Sequence, residues 1–207
     1  MTLPAPAGNF DPGLLGSRCW LELATGERVA LPVERWGARP SAGDELLLSR
    51  CAGPTLDAGC GPGRLTGELC ERGMIVLGVD VSEVAVSLTH RRGAPALHRS
   101  IFDRIPGEGR WRHVLLADGN IGIGGDPANL LARCHRLLAP GGTALVELDP
   151  PGKTVRHEHV RLSGTGTWFP WAWLGMDALQ PIASQTGYTI TWTASTGNRW
   201  FAELERP

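Results

Sequence analysis

The chain has 207 residues, 42% of them hydrophobic and 20% charged, with a net charge of −1. That length suits one single-core domain with a modest extension. The near-neutral balance excludes the basic field that a nucleic acid or an anionic membrane would call for, and no apolar run approaches the roughly 20 residues of a membrane span. Five cysteines (Cys19, Cys51, Cys60, Cys70, Cys134) form no C-x-x-C, which predicts reduced, mostly buried thiols in a cytoplasmic protein. The opening "MTLPAPAGNFD" has neither the basic nor the apolar region of a secretory leader.

In chain order, residues 1–17 are rich in Pro and Gly and are expected to drape over the rest. Arg18–Trp36 reads as two strands around Thr25-Gly26, a β-hairpin, so residues 1–40 form an N-terminal extension. "RPSAGDELLLSRC" reads as a helix whose Ser41 and Asp44 make a capping box, and it opens the main domain, 41–207. "TLDA" is a buried strand, and "GRLTGELCERG" a helix closed by Gly73. Met74–Asp80 is an apolar strand, followed by a helix capped by Ser82 and ending before Gly93, then a weaker strand in "PALHRS". Arg112–Asp118 is a strand, and the next helix has Asp126 as cap, Pro127 in its first turn and Gly141 as its stop. Thr143–Asp149 is a further strand. Strands alternating with helices imply βαβ units, hence a mostly parallel sheet with helices on both faces.

The tail differs. Pro150–Gly175 has no clean period and reads as an irregular insertion on the substrate side. "MDALQPIASQTG" reads as a helix that Pro181 must kink or shorten. "YTITWTAS" and "RWFAELE" are separated only by Thr196-Gly197-Asn198, which demands an antiparallel hairpin.

The stretch "LDAGCGPGRL" carries the chemistry. It follows a strand, opens a helix, and is trailed by a strand ending in Asp80, an acid placed to accept from both ribose hydroxyls of an adenosine. A dinucleotide enzyme would show G-x-G-x-x-G, whereas Gly59, Gly61 and Gly63 are spaced G-x-G-x-G. Asp57 would repel a pyrophosphate at the helix N-terminus. It would attract a phosphate-free ligand bearing a cation, such as S-adenosylmethionine, with its sulfonium and ammonium.

"LDAGCGPG" with "GVDVS", "RHVLLAD" and "LLAPGG" resembles the class I S-adenosylmethionine-dependent methyltransferases, over about residues 40–150 and the closing hairpin. The resemblance implies a Rossmann-like seven-stranded sheet of order 3-2-1-4-5-7-6 with the last strand antiparallel, and S-adenosyl-L-methionine as cofactor. It implies that Asp57, Gly59, Cys60 and Gly61 line the methionine part, that Gly63 allows close helix packing, and that Asp80 takes the ribose hydroxyls with Val81 beside the adenine. The acid often found after the third core strand is replaced by Ser100, with Asp103 three residues on. Either could meet the adenine, or Ile101 and Phe102 could sandwich it. Ala117 and Asp118 would sit near the sulfonium.

Three segments are expected beyond the carboxyl ends of the strands: the N-terminal extension, the loop "DGNIGIGGDP" and the 150–175 insertion. The loop's glycines either let ligands approach the backbone, with Asn120 at the acceptor, or make a flexible connection. Trp168, Trp171 and Trp173 either wall an acceptor pocket or pack an insertion, and Trp20 and Trp36 read as packing. His157 and His159 share a strand face, but no third ligand is evident by spacing, so no metal is expected. Candidate bases are Asp118, His157, His159 and Tyr188. Asp149-Pro150-Pro151 resembles the signature of amino-methylating nucleic-acid enzymes, but it follows strand five rather than four and reads as a loop start. The expected function is methyl transfer to a small-molecule acceptor by in-line displacement. The alternatives are a non-catalytic S-adenosylmethionine- or S-adenosylhomocysteine-binding protein and a nicotinamide oxidoreductase. No nucleic-acid or membrane partner is expected, and the protein is a monomer or homodimer.

Overall fold

The computed structural model describes residues 9–207, the side chain of Thr165 excepted, so the start of the Pro- and Gly-rich segment lies outside the described residues. A short helix, α1 (Asp11–Leu14), precedes the hairpin β1 (Trp20–Leu23) and β2 (Arg28–Ala30). The second strand of that hairpin stops earlier than its sequence suggests, and the chain turns into α2 (Val33–Gly37). Helix α3 (Ala42–Leu48) starts on the expected capping box, with the Ser41 amide donating to Asp44 Oδ2 at 2.7 Å.

The alternating units follow: β3 (Thr55–Ala58), α4 (Arg64–Glu71), β4 (Val76–Asp80), α5 (Glu83–Arg91), β5 (Ala96–His98), β6 (Trp111–Leu116), α6 (Pro127–Leu137) and β7 (Leu138–Leu148). Ser82 caps α5 and Asp126 caps α6, each through its side-chain oxygen. Helix α6 ends at Leu137, four residues before Gly141, because Leu138 already pairs with Trp111 of β6. The Pro140-Gly141-Gly142 stretch is a bulge between that bridge and the His113–Thr143 pair.

The 150–175 segment is a regular antiparallel hairpin, β8 (Val155–Leu162) and β9 (Thr165–Leu174), closed by Ser163-Gly164 with both φ angles positive. Its alternation is masked in the sequence because its outer face carries His, Arg and Trp, and because in β8 only the last inward positions, Val160 and Leu162, are apolar and buried. Helix α7 (Leu179–Gln185) takes Pro181 as its third residue, where the missing N–H has no intrahelical partner to lose. Strands β10 (Thr189–Thr196) and β11 (Arg199–Glu205) form the closing hairpin.

Seven strands make the main sheet in the order β10-β11-β7-β6-β3-β4-β5. Strand β11 is antiparallel to both neighbours and the rest run parallel. The N-terminal hairpin and the insertion join as a second sheet, β2-β1-β8-β9. Apolar residues fill both faces of the main sheet, and a separate cluster that includes Leu21, Leu23, Val160 and Phe169 is shared by the two hairpins of the small one. Among the described residues no helix is long and apolar enough to cross a membrane.

Helices α4 and α5 approach each other at Gly63, whose φ is +79°; a Cβ there would lie 2.9 Å from the Thr89 Cα and closer still to its side chain. Gly63→Ala therefore adds a left-handed-backbone penalty to an overpacked contact. Urea unfolding should show a loss of roughly 2–4 kcal/mol; a loss under about 1 kcal/mol, the backbone penalty alone, would contradict this close packing.

Candidate functional site

The carboxyl ends of β3, β4 and β6 open into a crevice that encloses about 1080 Å³, its mouth included. The glycine loop between β3 and α4 forms its floor. The Gly59 and Cys60 amides both donate to the Val79 carbonyl, at 2.8 and 3.1 Å, which pins the loop to β4. Asp80, at the tip of β4, accepts from the Gly61 amide through Oδ2 and from the Ser82 amide through Oδ1, each at 2.9 Å. Burial pushes the Asp80 carboxyl above its usual range, and these amides oppose that rise. Each oxygen keeps a lone pair for a ligand hydroxyl. A Cβ at Gly61 (φ +54°) would meet nothing nearer than Leu14 at 3.8 Å. Space stands open there, in the crevice.

Asp57 is the next-to-last residue of β3 and is 3% exposed. Burial raises its pKa to about 6, against the Thr66 hydroxyl that donates to it at 2.6 Å and the nearby Arg64 charge. It is a partly desolvated anion at the crevice wall.

A largely buried charge network lies beside it. Arg64, 3% exposed, pairs with both Asp44 and Asp118. Arg35 Nη2 stands 2.6 Å from Asp118 Oδ1 and 3.7 Å from Glu147. Arg199 pairs with Glu147 at 2.7 Å and with Asp44 at 3.0 Å. The Asp118 amide donates to Glu147 Oε2 at 2.7 Å, and its φ of +55° is left-handed, a conformation the ion pairs hold in place. Asp118 is thus a clamped carboxylate and not the free base its position suggests. None of the three arginines was singled out from the sequence; Arg64, directly after Gly63 and opening α4, was the one a closer look at the motif could have flagged.

Asp57, Gly59, Cys60 and Gly61 line the crevice, as do Asp80, Val81, Ser100, Ile101, Ala117 and Asp118. Gly63 acts through helix packing, and Phe102 points to the main core. Asp103 does not line the crevice; its carboxylate accepts from the Ser100 amide at 3.3 Å. Arg99 lines the crevice and was not anticipated.

All three segments expected above the strands meet there. The N-terminal segment supplies Phe10, Leu14, Leu31 and Trp36, the loop supplies Asn120 and Ile123, and the insertion supplies Trp171. Trp36 is therefore a wall residue as well as a packing one, whereas Trp20 lies under Arg28. Trp168 is 43% exposed beneath Arg161, and Trp173 packs under Arg156; neither reaches the crevice. Asn120 Nδ2 donates to the Ala58 and Gly59 carbonyls at 2.9 and 2.8 Å. The loop's glycines serve β9 more than a ligand: a Cβ at Gly122 would fall 2.1 Å from the Ala172 carbonyl, and one at Gly125 would fall 2.6 Å from Pro170. His157 and His159 are exposed on β8, with His157 Nδ1 2.7 Å from the Gly125 carbonyl, and neither lines the crevice. Tyr188 is buried against α6, its hydroxyl donating to the Leu131 carbonyl at 3.2 Å. Among the described residues no group of three or more His, Cys, Asp or Glu could hold a metal.

Removing one partner of a buried pair strands the others, so Asp44→Asn should cost roughly 3–5 kcal/mol in urea unfolding at neutral pH. Burial works against the Asp44 charge, but Arg64, Ser41 and Arg199 outweigh it and hold its pKa at about 2. A depressed carboxyl stabilises above its unfolded value and loses that contribution as pH falls. The gap between wild type and variant should therefore shrink by about 1 kcal/mol from pH 7 to pH 3. A gap that stays constant would contradict the network.

Residues 55–142 match the family described as "Methyltransferase domain". The chain is 35% identical over 101 residues to a ubiquinone biosynthesis O-methyltransferase of Pseudomonas paraeruginosa, covering 44% of this chain and 42% of that one. The chain thus spans under half the length of this curated relative. A SAM-dependent methyltransferase from Bacteroides fragilis, solved with S-adenosyl-L-homocysteine, superposes with a TM-score of 0.77 at 20% identity over 98% of this chain and 97% of that one. The 1,6-didemethyltoxoflavin-N1-methyltransferase of Burkholderia thailandensis gives 0.61 at 20% identity, over 78% and 75% of the two chains. Strand order, glycine loop and domain match agree: residues 55–142 carry a methyltransferase domain, set in the fold of the solved S-adenosylmethionine-dependent methyltransferases.

Proposed function

We propose that the crevice binds S-adenosylmethionine and transfers its methyl group, by in-line displacement, to a small-molecule acceptor in the cytoplasm. One observation carries the reading: two carboxylates, Asp57 and Asp80, flank an open Gly61 where a dinucleotide would set its pyrophosphate. That donor set fits a cationic, phosphate-free adenosine compound. Asp80 would take the ribose hydroxyls, with Val81, Ser100 and Ile101 along the adenine. Asp57 would oppose the ammonium and sulfonium. Arg64 Nε is a buried donor with no partner among the described residues, and Arg64 lines the crevice, so the amino-acid carboxylate suits it. Asn120 holds the carbonyl end of β3 in place and fixes the loop against the ligand.

S-adenosylmethionine brings an activated methyl group on a neutral leaving group. The chain's task is then alignment and exclusion of water, and a fixed geometry supplies ~7–11 kcal/mol of effective molarity. A base is needed only where the nucleophile must lose a proton. Asp118 is paired with Arg35 and Arg64, and the histidines of β8 are exposed and not among the lining residues of the crevice. The small acceptor is supported by the crevice's apolar walls and by the names of the relatives, which act in ubiquinone biosynthesis and on a toxoflavin precursor.

Calorimetry with S-adenosylhomocysteine should give saturable binding, with none for NAD; tight NAD binding at the same loop would overturn the reading. Asp80→Ala removes two charge-assisted contacts to the ligand and should weaken S-adenosylhomocysteine by roughly a hundredfold. Gly61→Val should abolish binding by filling the open space, and its circular dichroism should stay folded; normal affinity in either variant would refute the site. Asp57 binds a cation only when ionised, so affinity should fall by about tenfold as pH drops from 7 to 5, through its pKa of about 6. Asp57→Asn should flatten that profile, and a profile of wild-type slope in the variant would assign the titration elsewhere.

A further inference from the structure

The crevice has two unlike halves. Its floor is polar and belongs to the cofactor reading above, on which this inference rests. Its opposite wall is built by Phe10, Leu31, Trp36, Ile123 and Trp171. The Phe10 ring lies 6.3 Å from Trp36 at 72° and 5.7 Å from Trp171 at 52°. Such a wall of flat faces and edges favours an aromatic guest, since aromatic side chains prefer edge and offset contacts with another ring.

Charge narrows the guest further. An acceptor bearing a carboxylate or phosphate would need a free cation on this side. Arg35 pairs with Asp118 and Glu147 and is not among the lining residues, and Arg64 pairs with Asp44 and Asp118 and has its remaining donor, Nε, given to the cofactor's carboxylate in the reading above. Arg99 lies beside Ser100, on the adenosine side, with Nη1 donating to the Arg104 carbonyl at 2.8 Å. Asp57, Asp80 and Asp118 line the same crevice, so an anionic nucleophile would enter against three carboxylates. A protonated nucleophile such as a phenol would need a base; the crevice holds no His, Lys or Tyr among its lining residues, and its carboxylates are engaged, Asp118 by Arg35 and Arg64 and, in the cofactor reading, Asp80 by the ribose and Asp57 by the ammonium and sulfonium. Its one thiol, Cys60, is buried, held well above its ordinary pKa by that burial, and contacts Thr89 at 3.7 Å. What remains is a nucleophile that arrives uncharged with its lone pair already free.

We propose that the acceptor is an uncharged, planar nitrogen heterocycle, packed against the wall of Phe10, Trp36 and Trp171 and methylated on a ring nitrogen. The nitrogen lone pair forms the new bond to the methyl carbon as the carbon–sulfur bond breaks with its electron pair to sulfur. The positive charge passes from sulfonium to ring nitrogen, and no proton has to move. A lining without His, Lys or Tyr, whose carboxylates are held by arginines or by the cofactor, is then a fit to this chemistry.

Four probes of similar bulk separate the possibilities: isoquinoline, 2-naphthol, 2-naphthoate and cyclohexylmethylamine. Calorimetry first establishes that S-adenosylhomocysteine binds; its failure to bind would sink the functional reading itself, a result distinct from any failure among the acceptors. With the cofactor product bound, isoquinoline should quench tryptophan fluorescence with an affinity at least about tenfold above the other three. With S-adenosylmethionine, mass spectrometry should detect N-methylisoquinolinium. Phe10→Leu and Trp36→Leu should each weaken isoquinoline by about tenfold and leave S-adenosylhomocysteine affinity within about twofold. Two variants are used because a misfolded one would lose both ligands together. Preferential binding or methylation of 2-naphthol, 2-naphthoate or the amine, binding of isoquinoline without methylation, or variants that bind it normally would overturn the proposal.

Discussion

Three arginines and three carboxylates packed together at the carboxyl edge of the sheet hold the crevice in shape. Each comes from a different element: Arg35 from α2, Asp44 from α3, Arg64 from α4, Asp118 from the end of β6, Glu147 from β7 and Arg199 from β11. A buried charge is tolerable only beside its counter-charge, so each position constrains the other five. The network ties the N-terminal segment and α3 to the glycine helix, and it fixes Asp118 in a left-handed backbone conformation. It also holds the Asp118 carboxylate between the guanidinium groups of Arg35 and Arg64.

That constraint explains how the crevice divides. The floor belongs to the doubly wound core, where the loop and the β4 acid lock each other: Asp80 clamps the Gly61 amide and Val79 clamps the loop from beneath. The opposite wall belongs to the second sheet and the N-terminal turn, which share a hydrophobic cluster of their own. The Asp11 carboxylate accepts from the Ser82 hydroxyl at 2.5 Å and fastens that turn over the start of α5. In the proposed function, the floor would hold the cofactor and the opposite wall would face the acceptor. The glycines of the Asp118–Pro127 loop serve this division, since they let β9 press close enough to bring Trp171 to the crevice.

Much of the core was legible because its signals are local. Ser41 with Asp44, Ser82 and Asp126 announce helix starts through side-chain oxygens a few residues from the amides they cap. The short connection between β10 and β11, the two residues Gly197-Asn198, dictates an antiparallel pair. Less was legible where the pattern was half polar. Strands β8 and β9 read as irregular because their outward residues are Trp, His and Arg, and the Ser163-Gly164 turn was the one signal that could have revealed them. The stop of α6 was misplaced to Gly141 because pairing of Leu138 with Trp111 overrides the local signal.

The sequence by itself determined the order of elements, the glycine loop, and the acids at the tips of the first two core strands, because each depends on neighbours within a few residues. Only the tertiary structure decided that two hairpins more than a hundred residues apart share one sheet, that Trp36 and Trp171 face the crevice while Trp168 and Trp173 do not, and that Asp118 is bound by arginines from distant elements. The physical reason is the same in each case. Side-chain direction on a half-exposed strand and the partner of a buried charge are set by what packs across from them, and no spacing along the chain encodes that.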